Sequence, residues 1–165
     1  MPYLRPGGKV LDVGSGSGYL VAVLHELVTP GGKVVGIDHI PELVQDSIAN
    51  LKKDGWEEAM KKGEIVMITG DGRFGFPEGG ELPFLLTLNA SEQCLGPYDA
   101  IHVGAAASKV PQALIDQLAK GGRMFIPVGT FMQNIEHIDK DEHGNIRQEQ
   151  VMGVRVSVFH VCLRF

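Results

Sequence analysis

Cysteine is scarce: the 165 residues carry two, Cys94 and Cys162. Two thiols make no disulfide framework and read as free, buried or incidental side chains. Metal-binding spacings are missing as well. None of the six histidines stands in an H-x-x-x-H or H-E-x-x-H arrangement, so no metal site is expected. A basic surplus is missing too. The net charge of −5 argues against non-specific nucleic-acid binding, which needs a basic face. No run approaches the roughly 18 apolar residues of a membrane helix, and the N-terminus lacks a signal-peptide pattern. A cytoplasmic protein with neither nucleic acid nor membrane as partner is the expectation.

What is present is an ordinary globular composition, 44% hydrophobic and 21% charged, in a length that suits one domain. The organising stretch is Val10-Leu11-Asp12-Val13-Gly14-Ser15-Gly16-Ser17-Gly18-Tyr19-Leu20. An apolar run breaks into three glycines spaced by serines and then resumes, which reads as strand, tight turn and helix. The dinucleotide fingerprint would put its third glycine at position 19, which here is Tyr19. The sequence G-x-x-x-x-G-K-[ST] of a P-loop does not occur. Asp12, two residues before the first glycine, suits a ligand with a cationic group and would repel a pyrophosphate. An adenosyl ligand carrying positive charge fits this loop better than NAD or ATP.

Further along, the spacing predicts strands over Lys9–Val13, Lys33–Ile37, Glu64–Thr69, Tyr98–Val103 and Arg123–Val128. Helices are predicted over Tyr19–Val28, Pro41–Leu51 and Pro111–Leu118, with a partly helical segment around Trp56. Strand–helix alternation implies parallel pairing with right-handed crossovers, hence a three-layer α/β/α sandwich. Ile135–Asp139 and Val151–Val158, joined by a hairpin-like connection at 141–145, predict an antiparallel C-terminal edge. The stretch 76–97 reads as an insertion.

Open parallel sheets bind ligands outside the carboxyl ends of their strands, and four stations fall there. They are Asp12 with Gly14, Ser15 and Gly16; Asp38, placed to take ribose hydroxyls; Asp71-Gly72, beside an adenine; and Gly104-Ala105-Ala106. Taken singly, Asp38 reads equally as a helix cap and Asp71-Gly72 as a turn. His39, His102 and Ser108 lie nearby with packing or surface roles as their default. It is the coincidence of carboxylates at the ends of strands one, two and three that favours a ligand.

The first motif resembles that of class I S-adenosylmethionine methyltransferases, whose sheet is Rossmann-like. More narrowly, several blocks resemble the eukaryotic protein-L-isoaspartate O-methyltransferases. These are Val35-Gly36-Ile37-Asp38-His39-Ile40, Gly70-Asp71-Gly72-Arg73, Tyr98–Ala106, Val110–Leu118, Gly121–Gly129 and Met152-Gly153-Val154-Arg155. The resemblance implies S-adenosyl-L-methionine as cofactor and methylation of the α-carboxylate of isoaspartyl residues in damaged proteins, a repair reaction. It also implies a monomer. By carry-over, Gly14 and Ser15 would approach the methionine part and Asp38 the ribose. His39 would border the adenosine, Asp71 and Gly72 would contact the adenine, and Gly104, Ala105 and Ala106 would border the substrate. The family pattern includes a Ser-x-Pro-His-Met-His-like segment before the first strand, so a truncated N-terminus is expected here. No catalytic residue is assigned from what remains. A non-catalytic cofactor-binding remnant and a small-molecule methyltransferase are the competing readings.

Overall fold

The computed structural model describes residues 3–76 and 96–156. Most of the predicted insertion, residues 77–95, and the predicted end of the last strand lie outside them. Seven strands form one sheet in the order β3-β2-β1-β4-β5-β6-β7. The parallel strands are β1 (Lys9–Val13), β2 (Lys33–Asp38), β3 (Ile65–Thr69), β4 (Tyr98–Val103) and β5 (Leu118–Val128). Two antiparallel strands complete it, β6 (Gln133–Lys140) and β7 (Ile146–Val154).

Helices lie on both faces. Successive residues of a strand point to opposite sides, so Val10 faces one layer and Leu11 the other. Val10, Val34, Ile65 and Met67 pack against α1 (Tyr19–Val28), α2 (Pro41–Lys53) and α3 (Glu57–Lys61). Leu11, Val35, Ile101, Met124 and Ile138 form the second core, which includes Leu114 of α4 (Gln112–Gln117). Each fully buried Val, Leu or Ile contributes about 1.5–3 kcal/mol relative to exposure.

One helix face and two strand boundaries differ from the sequence reading for physical reasons. The spacing of Leu20, Val23, Leu24 and Leu27 suggests one inner face of α1. The buried residues are instead Val21, Leu24, His25 and Val28, with Leu27 49% exposed. That helix is apolar almost all round, so periodicity does not select a face and the sheet does. β5 begins five residues early, at Leu118, because Lys120–Gly122 is accommodated as an irregularity between Tyr98 and Ala100 of β4. β7 runs over Ile146–Val154, starting directly after the turn at 141–145. Its first residues, Ile146-Arg147-Gln148-Glu149-Gln150, are mostly polar because an edge strand tolerates water on both sides.

The chain extends the sheet from β1 outward to β3, then returns to the other side of β1 with β4. The carboxyl ends of β1 and β4 therefore lie at the point where the strand order reverses, the place at which open α/β sheets bind ligands.

Candidate functional site

The glycine loop is tied to the end of β2 by its own backbone. Gly14 N–H and Ser15 N–H both donate to the Ile37 carbonyl, at 2.8 and 3.1 Å. Gly16 N–H donates to Asp38 Oδ2 at 3.1 Å. Three successive amides are thus spent inside the protein. A phosphate-binding loop points such amides at its ligand; this loop cannot, and it offers carboxylates and carbonyls in their place. That is the electrostatics of a site for hydroxyls and cations. Gly16 has φ +52, the left-handed region, and a Cβ there would meet only the Gly14 carbonyl oxygen, 4.0 Å away. The demand for glycine is therefore one of backbone conformation, not of space within the chain.

Asp38 is buried, 6% exposed. Its Oδ1 accepts from Ile40 N–H at 3.1 Å, just before α2, while Oδ2 holds Gly16. The helix-start and ligand readings are thus not alternatives. An ionised carboxylate has about four acceptor sites, and these two bonds leave room for two hydroxyl donors. His39 Nδ1 lies 3.5 Å from Asp38 Oδ1 with its ring half exposed.

Asp71 is engaged locally. Arg73 Nη2 sits 2.5 Å from Oδ2 and its Nε 2.9 Å from Oδ1, while Arg73 N–H donates to Oδ1 at 3.0 Å. The Arg73 hydrogen bonds hold the Asp71 carboxyl below its ordinary range, against a smaller opposing effect of burial. Gly72 is set by contact: a Cβ there would fall 2.3 Å from Val13 Cγ1. The third station is thereby pressed onto the first.

At the fourth station, Gly104 N–H donates to the Val13 carbonyl at 2.7 Å. A Cβ on Gly104 would stand 3.2 Å from the Gly14 carbonyl oxygen, so β1 and β4 meet through glycine backbone. Gly104 is exposed, Ala105 half-buried and Ala106 fully buried. The accessible surface of this stretch is that of its first two residues.

The structure adds two pairings to residues that the sequence reading had named without a partner. Arg73 with Asp71 is one; an Asp-Gly-Arg spacing after a strand was its available signal. The other is that of His102, whose Nδ1 lies 2.7 Å from Asp12 Oδ1. Asp12 is 1% exposed, and its Oδ2 is buried without a hydrogen-bond partner, as is the hydroxyl of Ser15. Unpaired buried polar atoms are uncommon and costly. Two of them fall within four residues of each other at the glycine loop. A groove of about 440 Å³ also opens between the start of α1 and the end of α2, lined by Ser17, Gly18, Tyr19, Asn50, Leu51 and Asp54. None of the four carboxylate and glycine–alanine stations lines it. Among the described residues, no three His, Cys, Asp or Glu side chains converge as a metal site, and no helix is long and apolar enough to cross a membrane.

Comparison with known proteins bears on this arrangement. A family model described as protein-L-isoaspartate(D-aspartate) O-methyltransferase matches residues 1–160. Protein-L-isoaspartate O-methyltransferase 2 of Arabidopsis thaliana is 47% identical over 152 residues, which cover 92% of this chain and 44% of that protein. The Caenorhabditis elegans protein-L-isoaspartate O-methyltransferase is 44% identical over 150 residues, covering 90% of this chain and 59% of that protein. The chain thus spans about half the length of the curated relatives it matches. A Plasmodium falciparum crystal structure, assigned to protein-L-isoaspartate O-methyltransferase and holding S-adenosyl-L-homocysteine, superposes with a TM-score of 0.77 at 29% identity. That superposition covers 96% of this chain and 68% of the other.

Proposed function

The chain belongs to the protein-L-isoaspartate(D-aspartate) O-methyltransferase family, and on that premise we propose that it binds S-adenosyl-L-methionine and methylates the α-carboxylate of L-isoaspartyl residues in damaged proteins. The observation that supports the reading is the glycine loop at the end of β1 and the unpaired buried polar atoms beside it. A carboxylate oxygen of Asp12 and the Ser15 hydroxyl are buried and unpaired there, three successive amides of the loop are spent inside the protein, and Asp38 of β2 holds Gly16.

When bound, the cofactor supplies a methyl group on a cationic sulfonium. Asp12, Gly14, Ser15 and Gly16 would hold its methionine part, Asp38 its ribose, and His39, Asp71 and Gly72 its adenine side. Asp71 would do so mainly through its backbone, since Arg73 occupies both carboxylate oxygens. Gly104 and Ala105 would border the substrate, with Ala106 behind them. An isoaspartyl carboxylate is ionised at neutral pH and already nucleophilic, so no strong general base is required. The contribution of this chain is orientation, keeping the carboxylate oxygen in line with the methyl carbon and sulfur. The resulting methyl ester loses methanol as the neighbouring backbone nitrogen closes a succinimide, which then opens partly to normal aspartate.

The reading brings with it a cytoplasmic monomer whose partners are polypeptides. Its net charge of −5 supports leaving nucleic acid out. The deciding experiment supplies purified protein with methyl-labelled S-adenosylmethionine and matched isoaspartyl and aspartyl peptides. Base-labile label on the isoaspartyl peptide alone is the expected result. Cofactor binding without transfer would identify a non-catalytic binder. Transfer only to small molecules would replace the substrate class.

A further inference from the structure

Asp12 and His102 stand directly opposite each other on β1 and β4. On the β2 side, the residue in register with Asp12 is Gly36, which offers no side chain. On the β5 side, the residue in register with His102 is Phe125. Among the described residues, His102 is therefore the polar partner of the Asp12 side chain, through Oδ1 at 2.7 Å. Oδ2 is buried and bonded to nothing. An imidazole donating Nδ1–H to one oxygen fixes the plane of the carboxylate and so fixes where the other oxygen is. Without that bond, both oxygens would be unpaired and the group free to turn.

We propose that His102 is a positioning residue: it pins Asp12 through Oδ1 so that Oδ2 is presented to the amino group of the cofactor's methionine arm. The inference rests on the cofactor reading above. An ammonium is the fitting partner because it carries three N–H donors, whereas a sulfonium has none to give a lone pair. The buried Ser15 hydroxyl, also unpartnered and in the same loop, supplies a second polar group for the same arm.

Titration calorimetry on the full chain tests this with two ligands, S-adenosylhomocysteine and 5′-methylthioadenosine. The second keeps the adenosyl group and lacks the amino-acid arm. His102→Leu and Asp12→Asn should each weaken S-adenosylhomocysteine at least about tenfold and leave methylthioadenosine within about twofold. The double substitution should be no worse than Asp12→Asn alone. His102→Asn, whose amide nitrogen takes the place of Nδ1, should recover most of the affinity. His102→Gln, which reaches the place of Nε2, should not. Retained methylthioadenosine binding shows that each variant is folded, and the Asn and Gln variants carry the test if Leu is not tolerated. Equal losses for both ligands, additivity in the double variant, or rescue by Gln but not Asn would overturn the assignment. An unaltered protein that binds neither ligand would overturn the cofactor reading and this inference together. One that binds both, with no effect along the His102 series, would overturn this inference alone.

Discussion

One face of the sheet changes character from side to side. On β1 to β3 it carries Val10, Val34 and Ile65, buried beneath α1, α2 and α3. In register on β5 to β7 the same face carries Arg123, Phe125, His137, Asp139 and Glu149, and these remain partly exposed. The first half is held by apolar contact. The second is held by cross-strand pairs: Arg123 Nε to Asp139 Oδ1 at 2.5 Å, and His137 Nε2 with Glu149 Oε2 at 2.8 Å. Tyr3 adds a ring 4.5 Å from the Arg123 guanidinium. Directly opposed charges of opposite sign contribute roughly 0.2–1 kcal/mol each, against about 1.5–3 for a buried aliphatic side chain. On this face, apolar burial is thus concentrated on the β1–β3 side, while β5 and β6 bury their apolar residues on the opposite face.

The largest expected effect lies in the covered half. Ile65→Ala should cost about 2–5 kcal/mol in denaturant unfolding, because it leaves a cavity in the layer under α2 and α3. Phe125→Ala, on the same face but 42% exposed, should cost under about 1 kcal/mol. Equal costs would abolish the contrast between the halves. Next in size is Asp38→Ala, which should weaken S-adenosylhomocysteine binding by about 1.5–3 kcal/mol in calorimetry through lost charged hydrogen bonds. An unchanged dissociation constant would take Asp38 out of the ligand site.

The smallest effect belongs to the open half. Arg123 holds the Asp139 carboxyl below its ordinary value of 3.8, chiefly by hydrogen bonding. A depressed folded-state value means that the pair stabilises above that pH and loses its contribution as pH falls through the folded value. Arg123→Met should therefore cost at most about 1 kcal/mol at pH 7. The gap to the unaltered protein should close as the pH drops below 3.8. A gap unchanged at low pH would assign the effect to packing of the Arg123 stem instead of its charge.

The same contrast explains what was legible beforehand. β1, α1 and β4 have the bounds that their apolar runs predict, because buried parallel strands are written as continuous hydrophobic segments. β7 was displaced because Arg147, Gln148 and Glu149 carry no hydrophobic signal, although they pair across to β6. Among the candidate site residues, Asp12, Asp38 and Asp71 stand out in the sequence by their places at strand ends. The His102 partnership could not, since it depends on the register between strands 90 residues apart. Nor could the burial of Ala106, which follows from how β5 receives the end of β4: Ala107 bridges to Val128 there.

Ile37 and Asp38 hold more than the glycine loop. Between them they accept the amides of Gly14, Ser15 and Gly16, that of Ile40 ahead of α2, and that of Gly70 after β3. Two segments from separate parts of the chain, and the lead into α2 that directly follows, are thus moored to one dipeptide. A shift of this dipeptide would therefore move the glycine loop, the lead into α2 and the turn after β3 together.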